Sequence, residues 1–347
     1  MLRFPSELIA GVRPAYEQRR VVVTGGAGFI GSNLVAGLAD RGRTDVAICD
    51  RLGHDDKWRN IAKREIAHFV PPDGLSDFLA DHVRGIEAIV HLGAISATTE
   101  SDADLIVRTN LVLTQQLWSW CIRHQVRLIY ASSAATYGDG SAGFSDAFSV
   151  DALARLRPMN AYGWSKHAFD RTVARAVADG KPTPPQWAGL KFFNVYGPNE
   201  YHKGNMLSVV KRVHEQVGET GRCTLFKSHR EGIADGDQRR DFVWVDDCVD
   251  VMLWLLDNPG TCGLFNLGTG TDRSFADLAQ AVFAALDRPA AIDYVDMPAS
   301  IRDRYQYFTK ADMDSLRGAG YQRPFTSLET GVATYVRRFL EADDPYR

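Results

Sequence analysis

The narrowest restriction on the fold comes from Thr24-Gly25-Gly26-Ala27-Gly28-Phe29-Ile30-Gly31, which follows directly on Val21-Val22-Val23. The β-branched run reads as a buried strand, and Ile30, Leu34 and Leu38 continue beyond the glycines with helical spacing. Glycines at 25, 28 and 31 therefore fall at a strand-to-helix turn. Gly25 permits the tight turn, Gly28 lets backbone approach a pyrophosphate, and Gly31 lets the helix pack close to the strand. The unpaired N–H groups at the helix start would then face the diphosphate of a dinucleotide. A glycine triplet alone is a weak signal. Its place between a strand and a helix strengthens it, as does Asp50 after the next strand, at the spacing expected for a ribose contact.

Further short apolar runs at 46–48, 86–92, 128–132 and 190–193 read as strands, with helical patterns between them. The longest helical pattern, at 103–124, carries Leu105, Leu113, Leu117 and Trp120. This alternation predicts an α/β fold of Rossmann type, a doubly wound parallel sheet with a smaller C-terminal α/β substrate-binding domain. Residues 1–193 are assigned to the dinucleotide-binding domain, with 242–270 and 307–320 returning to it. Residues 194–241, 271–306 and 321–347 form the substrate domain. At 347 residues the chain is long enough for both.

The net charge of −3 argues against nucleic acid as the main partner, which calls for clustered excess Lys and Arg. No apolar run approaches a bilayer span, and the first twenty residues, with Pro5, Glu7, Pro14 and Glu17, lack the apolar stretch of a secretory signal. The five cysteines, none in a CxxC pair, read as reduced thiols of a cytoplasmic protein. The nine histidines show no metal-ligand spacing, so no metal site is expected.

The chemistry is carried by Tyr162-Gly163-Trp164-Ser165-Lys166. On a helix, a phenol and an ammonium four residues apart share a face. A phenol titrates near pKa ~10 and is a poor base at neutral pH. A neighbouring cation favours the phenolate and makes it a usable acid/base for an alcohol or a carbonyl. Upstream, Tyr130-Ala131-Ser132-Ser133 ends a strand in hydroxyls, and Ser133 is placed to bond the same substrate oxygen. For the adenosine end, Asp50 by itself favours NAD, whereas Arg51 and Lys57 could neutralise a 2′-phosphate. The balance points to NADP, with NAD as the alternative.

These motifs, in this order, resemble the extended short-chain dehydrogenase/reductase family of nucleotide-sugar enzymes. The resemblance runs from about Val21 to the C-terminal helix. Residues 130–138, Phe193-Asn194-Val195-Tyr196-Gly197-Pro198, Arg240-Asp241-Phe242-Val243 and Phe265-Asn266-Leu267-Gly268-Thr269-Gly270 are shared broadly. His202-Lys203-Gly204 and Arg304-Tyr305-Gln306 are more particular to the branch that epimerises ADP-linked heptoses for lipopolysaccharide core precursors. The resemblance implies Tyr162, Lys166 and Ser133 as catalytic residues, with Lys203 as a second acid/base. It also implies that Gly25, Gly28, Phe29, Ile30, Gly31, Asp50, Arg51 and Lys57 hold the pyrophosphate and adenosine. Leu92, Gly93, Ala94, Asn110 and Val195 would follow along the nicotinamide half, where Tyr162 and Lys166 also touch the cofactor. Asn194, Asn205, Arg212, Phe226, Lys227, Ser228, His229, Arg240 and Tyr305 would surround an ADP-sugar. It further implies a homo-oligomer, a pentamer being one form.

Three departures from the family pattern stand out. About twenty residues precede the first strand, the stretch at 230–238 is longer than usual, and Pro72 stands where the family carries a cofactor-side lysine. Among rivals, an NAD-dependent UDP-hexose 4-epimerase would share Ser133, Tyr162 and Lys166 without needing Lys203. A 4,6-dehydratase would need an acidic pair where this chain has Ser133-Ala134-Ala135-Thr136. A non-catalytic dinucleotide-sensing regulator would have little use for the tyrosine–lysine pair.

Overall fold

The computed structural model describes residues 20–302 and 305–347. The N-terminal extension and Arg304, both singled out from the sequence, lie outside these residues. Among the described residues there are twelve strands: β1 (Arg20–Thr24), β2 (Val46–Cys49), β3 (His68–Val70), β4 (Ile86–His91), β5 (Arg127–Ser133), β6 (Trp187–Phe192), β7 (Asn194–Tyr196), β8 (Cys223–Phe226), β9 (Arg239–Trp244), β10 (Gly263–Leu267), β11 (Asp272–Ser274) and β12 (Ile292–Val295). The helices of the first half are α1 (Phe29–Asp40), α2 (Leu75–Asp81), α3 (Ala103–Ile106), α4 (Leu113–His124), α5 (Val150–Ala154) and α6 (Ala161–Ala178). The second half adds α7 (Val209–Thr220), α8 (Val245–Asp257), α9 (Phe275–Ala285), α10 (Ala299–Arg302), α11 (Asp314–Gly318) and α12 (Leu328–Tyr335).

Seven strands form one sheet in the order β10-β6-β5-β4-β1-β2-β3, and every pairing in it is parallel. Strand residues alternate between two cores, as the pleat requires. Val21 and Val23 pack with Leu34 and Leu38 of α1 and with Val249 and Met252 of α8. Val22 points the other way, to Leu79, Leu117 and Phe169 on α2, α4 and α6. The sheet is thus covered on both faces, the doubly wound arrangement anticipated from the alternating elements.

Beyond β6 the chain builds smaller sheets. Strands β11, β9 and β7 form one and β12 pairs with β8 in another, over a separate apolar core shared by α7, α9 and α12. The sequence reading has the chain returning to the main sheet from 242. In the structure β9 pairs with β7 and β11, so the return begins with α8. Among the cysteines, Cys49, Cys121, Cys223 and Cys248 are buried, Cys262 is exposed, and none is paired. No helix among the described residues is long and apolar enough to cross a membrane.

Candidate active site

The sheet order reverses between β1 and β4, and ligands of open α/β sheets bind in the crevice at such a point. Here the two strand ends nearly touch. A Cβ on Gly25, whose φ is +70°, would lie 2.6 Å from the amide nitrogen of Gly93, just beyond β4. A Cβ on Gly31 would lie 2.1 Å from the carbonyl oxygen of Gly25, so only glycine lets α1 start against the turn. A Cβ on Gly28 would meet only Gly25 within 4 Å, and Gly28 lines the cleft, leaving its backbone open to a close-lying diphosphate. Gly28 caps α1 without a side-chain bond, so the first-turn N–H groups are left for an anion. The cradle fits a dinucleotide.

Asp50 closes the adenosine end. Its Oδ2 accepts from the Ala27 amide at 2.9 Å, and its Oδ1 accepts from Lys57 Nζ and from the Arg51 amide, each at 2.7 Å. Asp50 and Lys57 line the cleft and Arg51 does not. The Arg51 guanidinium is exposed and donates to Asp73 Oδ1 at 3.1 Å. Asp73 belongs to a short turn opened by Pro72.

The cleft has a volume of about 670 Å³, within the range of small-molecule sites. Ser133, Tyr162, Lys166 and Lys203 all line it. Helix α6 brings Tyr162 to Ser133 because Gly163 allows close contact: a Cβ there would stand 2.7 Å from the Ala135 carbonyl oxygen. Asn160 caps that helix, its Oδ1 accepting from the Gly163 amide at 2.8 Å. Burial raises the Tyr162 phenol, and the neighbouring Ser133 hydroxyl opposes the rise. Lys166, one turn on, is buried, and burial lowers its ammonium to about 8, against the opposing charge of Asp170. Behind it His91 is held by Thr24 and Thr114 at 2.6 and 2.9 Å and is lowered to about 3, so it stays neutral.

One further turn along α6, Asp170 is fully buried and salt-bridged to the fully buried Lys191 at 2.8 Å. Ser132 donates to the same carboxylate at 2.7 Å, and Lys191 donates to Thr136 at 2.7 Å. Strand end and helix are thereby tied together near Ser133 and Tyr162. Asn110 does not line the cleft. It sits in a π-helical segment, Val107–Val112, between α3 and α4. There it exchanges two 2.9 Å bonds with the backbone of Ile95, bracing the loop after Gly93 and Ala94.

Lys203 comes from a different kind of element, the turn Tyr201–Met206. Its ammonium lies 5.0 Å from the centre of the Phe29 ring. Burial lowers its pKa, and the charge of Glu200 opposes this. His202 beside it is lowered to about 4 by burial and the nearby lysines, so it is neutral, and it lies 3.2 Å from Asn60 Nδ2. Arg212 of α7 donates to the Asn205 carbonyl.

Of the residues assigned to the substrate, Asn194, Asn205 and Arg212 line the cleft, whereas Phe226, Lys227, Ser228, His229, Arg240 and Tyr305 do not. Several of these form an adjoining cluster. The Arg240 guanidinium lies 5.3 Å from the Tyr305 ring, which meets Phe226 edge-on at 6.3 Å. Arg240 is buried, donates to the carbonyls of Arg239 and Gln306, and has no carboxylate partner among the described residues. Ser96, Thr98 and Thr309 also line the cleft and were not foreseen. Lone hydroxyls in loops carry no pattern that would have marked them.

The profile of the NAD dependent epimerase/dehydratase family matches residues 21–268. An ADP-L-glycero-D-manno-heptose-6-epimerase of Nitratidesulfovibrio vulgaris is 49% identical over 328 residues, covering 94% of this chain and 99% of that one. The protein of that name from Fusobacterium nucleatum is 46% identical over 334 residues, with the same coverage of 94% and 99%. Among solved structures, UDP-glucose 4-epimerase of Thermus thermophilus in complex with NAD aligns with a TM-score of 0.72 at 26% identity, over 93% of this chain and 99% of that chain. The Helicobacter pylori ADP-L-glycero-D-manno-heptose-6-epimerase shares the fold, with a TM-score of 0.74 at 24% identity over 93% of this chain and 97% of that one.

Proposed function

Since the chain belongs to the NAD dependent epimerase/dehydratase family, we propose that it inverts C6 of the heptose in ADP-D-glycero-D-manno-heptose. The product is the L-glycero epimer, used in lipopolysaccharide core precursor synthesis. The observation that carries this reading is that Tyr162 and Lys203, on separate elements, line one cleft with the glycine turn. The names of the relatives at 46–49% identity give the sugar.

Inversion at an unactivated secondary alcohol is hard because its C–H is not acidic. A bound nicotinamide supplies the chemistry, as a reversible hydride acceptor that lets the carbon pass through a flat ketone. The chain's own residues manage the proton. Tyr162, beside Ser133, takes the hydroxyl proton in one substrate orientation, with Lys166 as the cation one turn away. Lys203 delivers a proton to the ketone oxygen when the other face is presented. Arg240 suits the diphosphate of the ADP group, because a guanidinium fork matches phosphate oxygens.

NADP is the proposed cofactor. Lys57 sits on Asp50 and so cancels the carboxylate charge that would repel a 2′-phosphate. NAD remains the second reading, favoured by the pairing of Arg51 with Asp73. We place the enzyme in the cytoplasm, as its unpaired cysteines suit, and as a homo-oligomer.

The test is incubation of the protein as purified with ADP-D-glycero-D-manno-heptose and, separately, with UDP-galactose, followed by NMR of the stereocentre. Inversion of the heptose alone is expected, and heat should release NADP. Turnover of UDP-galactose with the heptose untouched would overturn the assignment in favour of a hexose 4-epimerase.

A further inference from the structure

Glu200 is fully buried. A carboxylate out of water is costly unless its oxygens are satisfied, and here they are. Oε2 accepts from the Ser208 amide at 2.5 Å, while Oε1 accepts from Ser208 Oγ at 2.6 Å and from Tyr335 Oη at 3.0 Å. These bonds alone do not call for a charge. A glutamine in the same place could turn its oxygen to the amide and its NH2 to the two hydroxyls, which rotate to accept. What a carboxylate adds is the negative charge, and the cation it acts on is Lys203, three residues along the chain, whose amide donates to the Glu200 carbonyl at 3.0 Å.

The other charged groups around the lysine are already engaged. Lys57 and Asp50 are paired with each other across the cleft's adenosine end, and Arg212 is bonded to the Asn205 carbonyl. His202 is neutral. The Lys203 ammonium makes no salt bridge among the described residues, and its other neighbour of note is the face of Phe29. Burial works against charge on both members. It raises the Glu200 carboxyl and lowers the Lys203 amine, and each charge opposes the shift of the other.

We propose that Glu200 is a positioning residue for Lys203. Clamped by Ser208 and Tyr335, it fixes the turn that carries the lysine and supplies the charge that lets the amine hold a proton inside the cleft. This rests on the reading of Lys203 as the second proton carrier.

The experiment compares pH–rate profiles of the intact, dinucleotide-loaded enzyme. Lys203→Met comes first: if it inverts the heptose at the wild-type rate, the two-carrier reading itself is wrong. If Lys203→Met is impaired, Glu200→Gln decides the present proposal. With the carboxylate neutral, only burial acts on the amine and its pKa falls. The limb of the profile due to Lys203 then moves to lower pH by on the order of one unit, whether the lysine acts as acid or as base. The limb due to Tyr162 stays in place, and Glu200→Asp restores the profile in part. Tyr335→Phe strips one donor from the carboxylate and is the second variant should Glu200→Gln not fold, with a smaller shift in the same sense. A uniform loss of rate with unmoved limbs, or no change at all, would reduce Glu200 to a structural link and sink the proposal.

Discussion

The two regions of the cleft proposed to carry protons are built by opposite means. Ser133, Tyr162 and Lys166 sit on β5 and α6, long regular elements of the main sheet, and a fully buried Asp170–Lys191 ion pair ties the two together from below. Lys203 rides on a short turn whose supports are side chains from distant parts of the chain. Tyr335 of α12 reaches Glu200, and Asn60 reaches the Asn199 carbonyl and His202. The Tyr346 ring lies between Tyr201, at 5.2 Å and nearly perpendicular, and the Arg59 guanidinium, at 4.4 Å. The first region gets its geometry from backbone ladders; the second depends on each of a few contacts. The proposed base is thus fixed and the proposed acid separately mounted, which suits a substrate presenting two faces, and the two mountings should respond differently to damage.

The largest effect is expected at the rigid end. Tyr162→Phe removes the hydroxyl that meets Ser133 and leaves α6, the glycine turn and the Asp170–Lys191 pair as they are. Turnover should fall by roughly a hundredfold or more, with the dinucleotide retained through purification. Normal turnover would show that the proton leaves by another route.

Lys203→Met should cost less, on the order of a hundredfold at most, because water can reach a turn whose Gly204 and Asn205 are exposed. The quality of the loss matters more than its size. Oxidation at the Tyr162 side should survive, so that substrate still reduces the bound dinucleotide while the inverted product fails to accumulate. If both activities fall together, the two regions are not separate proton carriers.

The same contrast explains what could be read before the fold was known. Strand runs such as Val21-Val22-Val23 and the glycine turn carry their structure locally, through periodicity and backbone sterics, so the main sheet and the Tyr162–Lys166 face were legible. Strand β3 (His68–Val70) was not, because a three-residue edge strand with a half-exposed Phe69 shows no run to detect. Lys203 was visible only through family resemblance. Two of its supports, Tyr335 and Tyr346, lie far along the chain from Glu200, Tyr335 by 135 positions, and no local pattern links them to the turn. The loss of Asn110 and Arg51 from the cleft wall has a similar cause: each found a partner, Ile95 and Asp73, that sequence spacing does not reveal. For Arg240, the absence of a carboxylate partner among the described residues is a property of the fold alone.

The smallest effect is expected from Tyr346→Ala, which leaves every cleft residue in place and loosens only the mounting of the turn. It removes one aromatic pair and one cation–π contact, each worth about 1 kcal/mol, together with the packing of a buried ring. Residues 345–347 also hold the region through Tyr201, which donates to the Pro345 carbonyl at 2.9 Å, and through Asn199, whose Oδ1 accepts from the Arg347 amide at 3.0 Å. With those bonds left, inversion should slow only about threefold to tenfold, while oxidation on the Tyr162 side stays within about twofold of wild type. A double-mutant cycle makes this strict. If Tyr346 acts by placing Lys203, its removal has nothing left to disturb in the Lys203→Met background, and the second substitution costs nothing more. An undiminished further loss there would mean that the ring steadies the whole cleft, and the contrast between a rigid and a side-chain-mounted half would have to be abandoned.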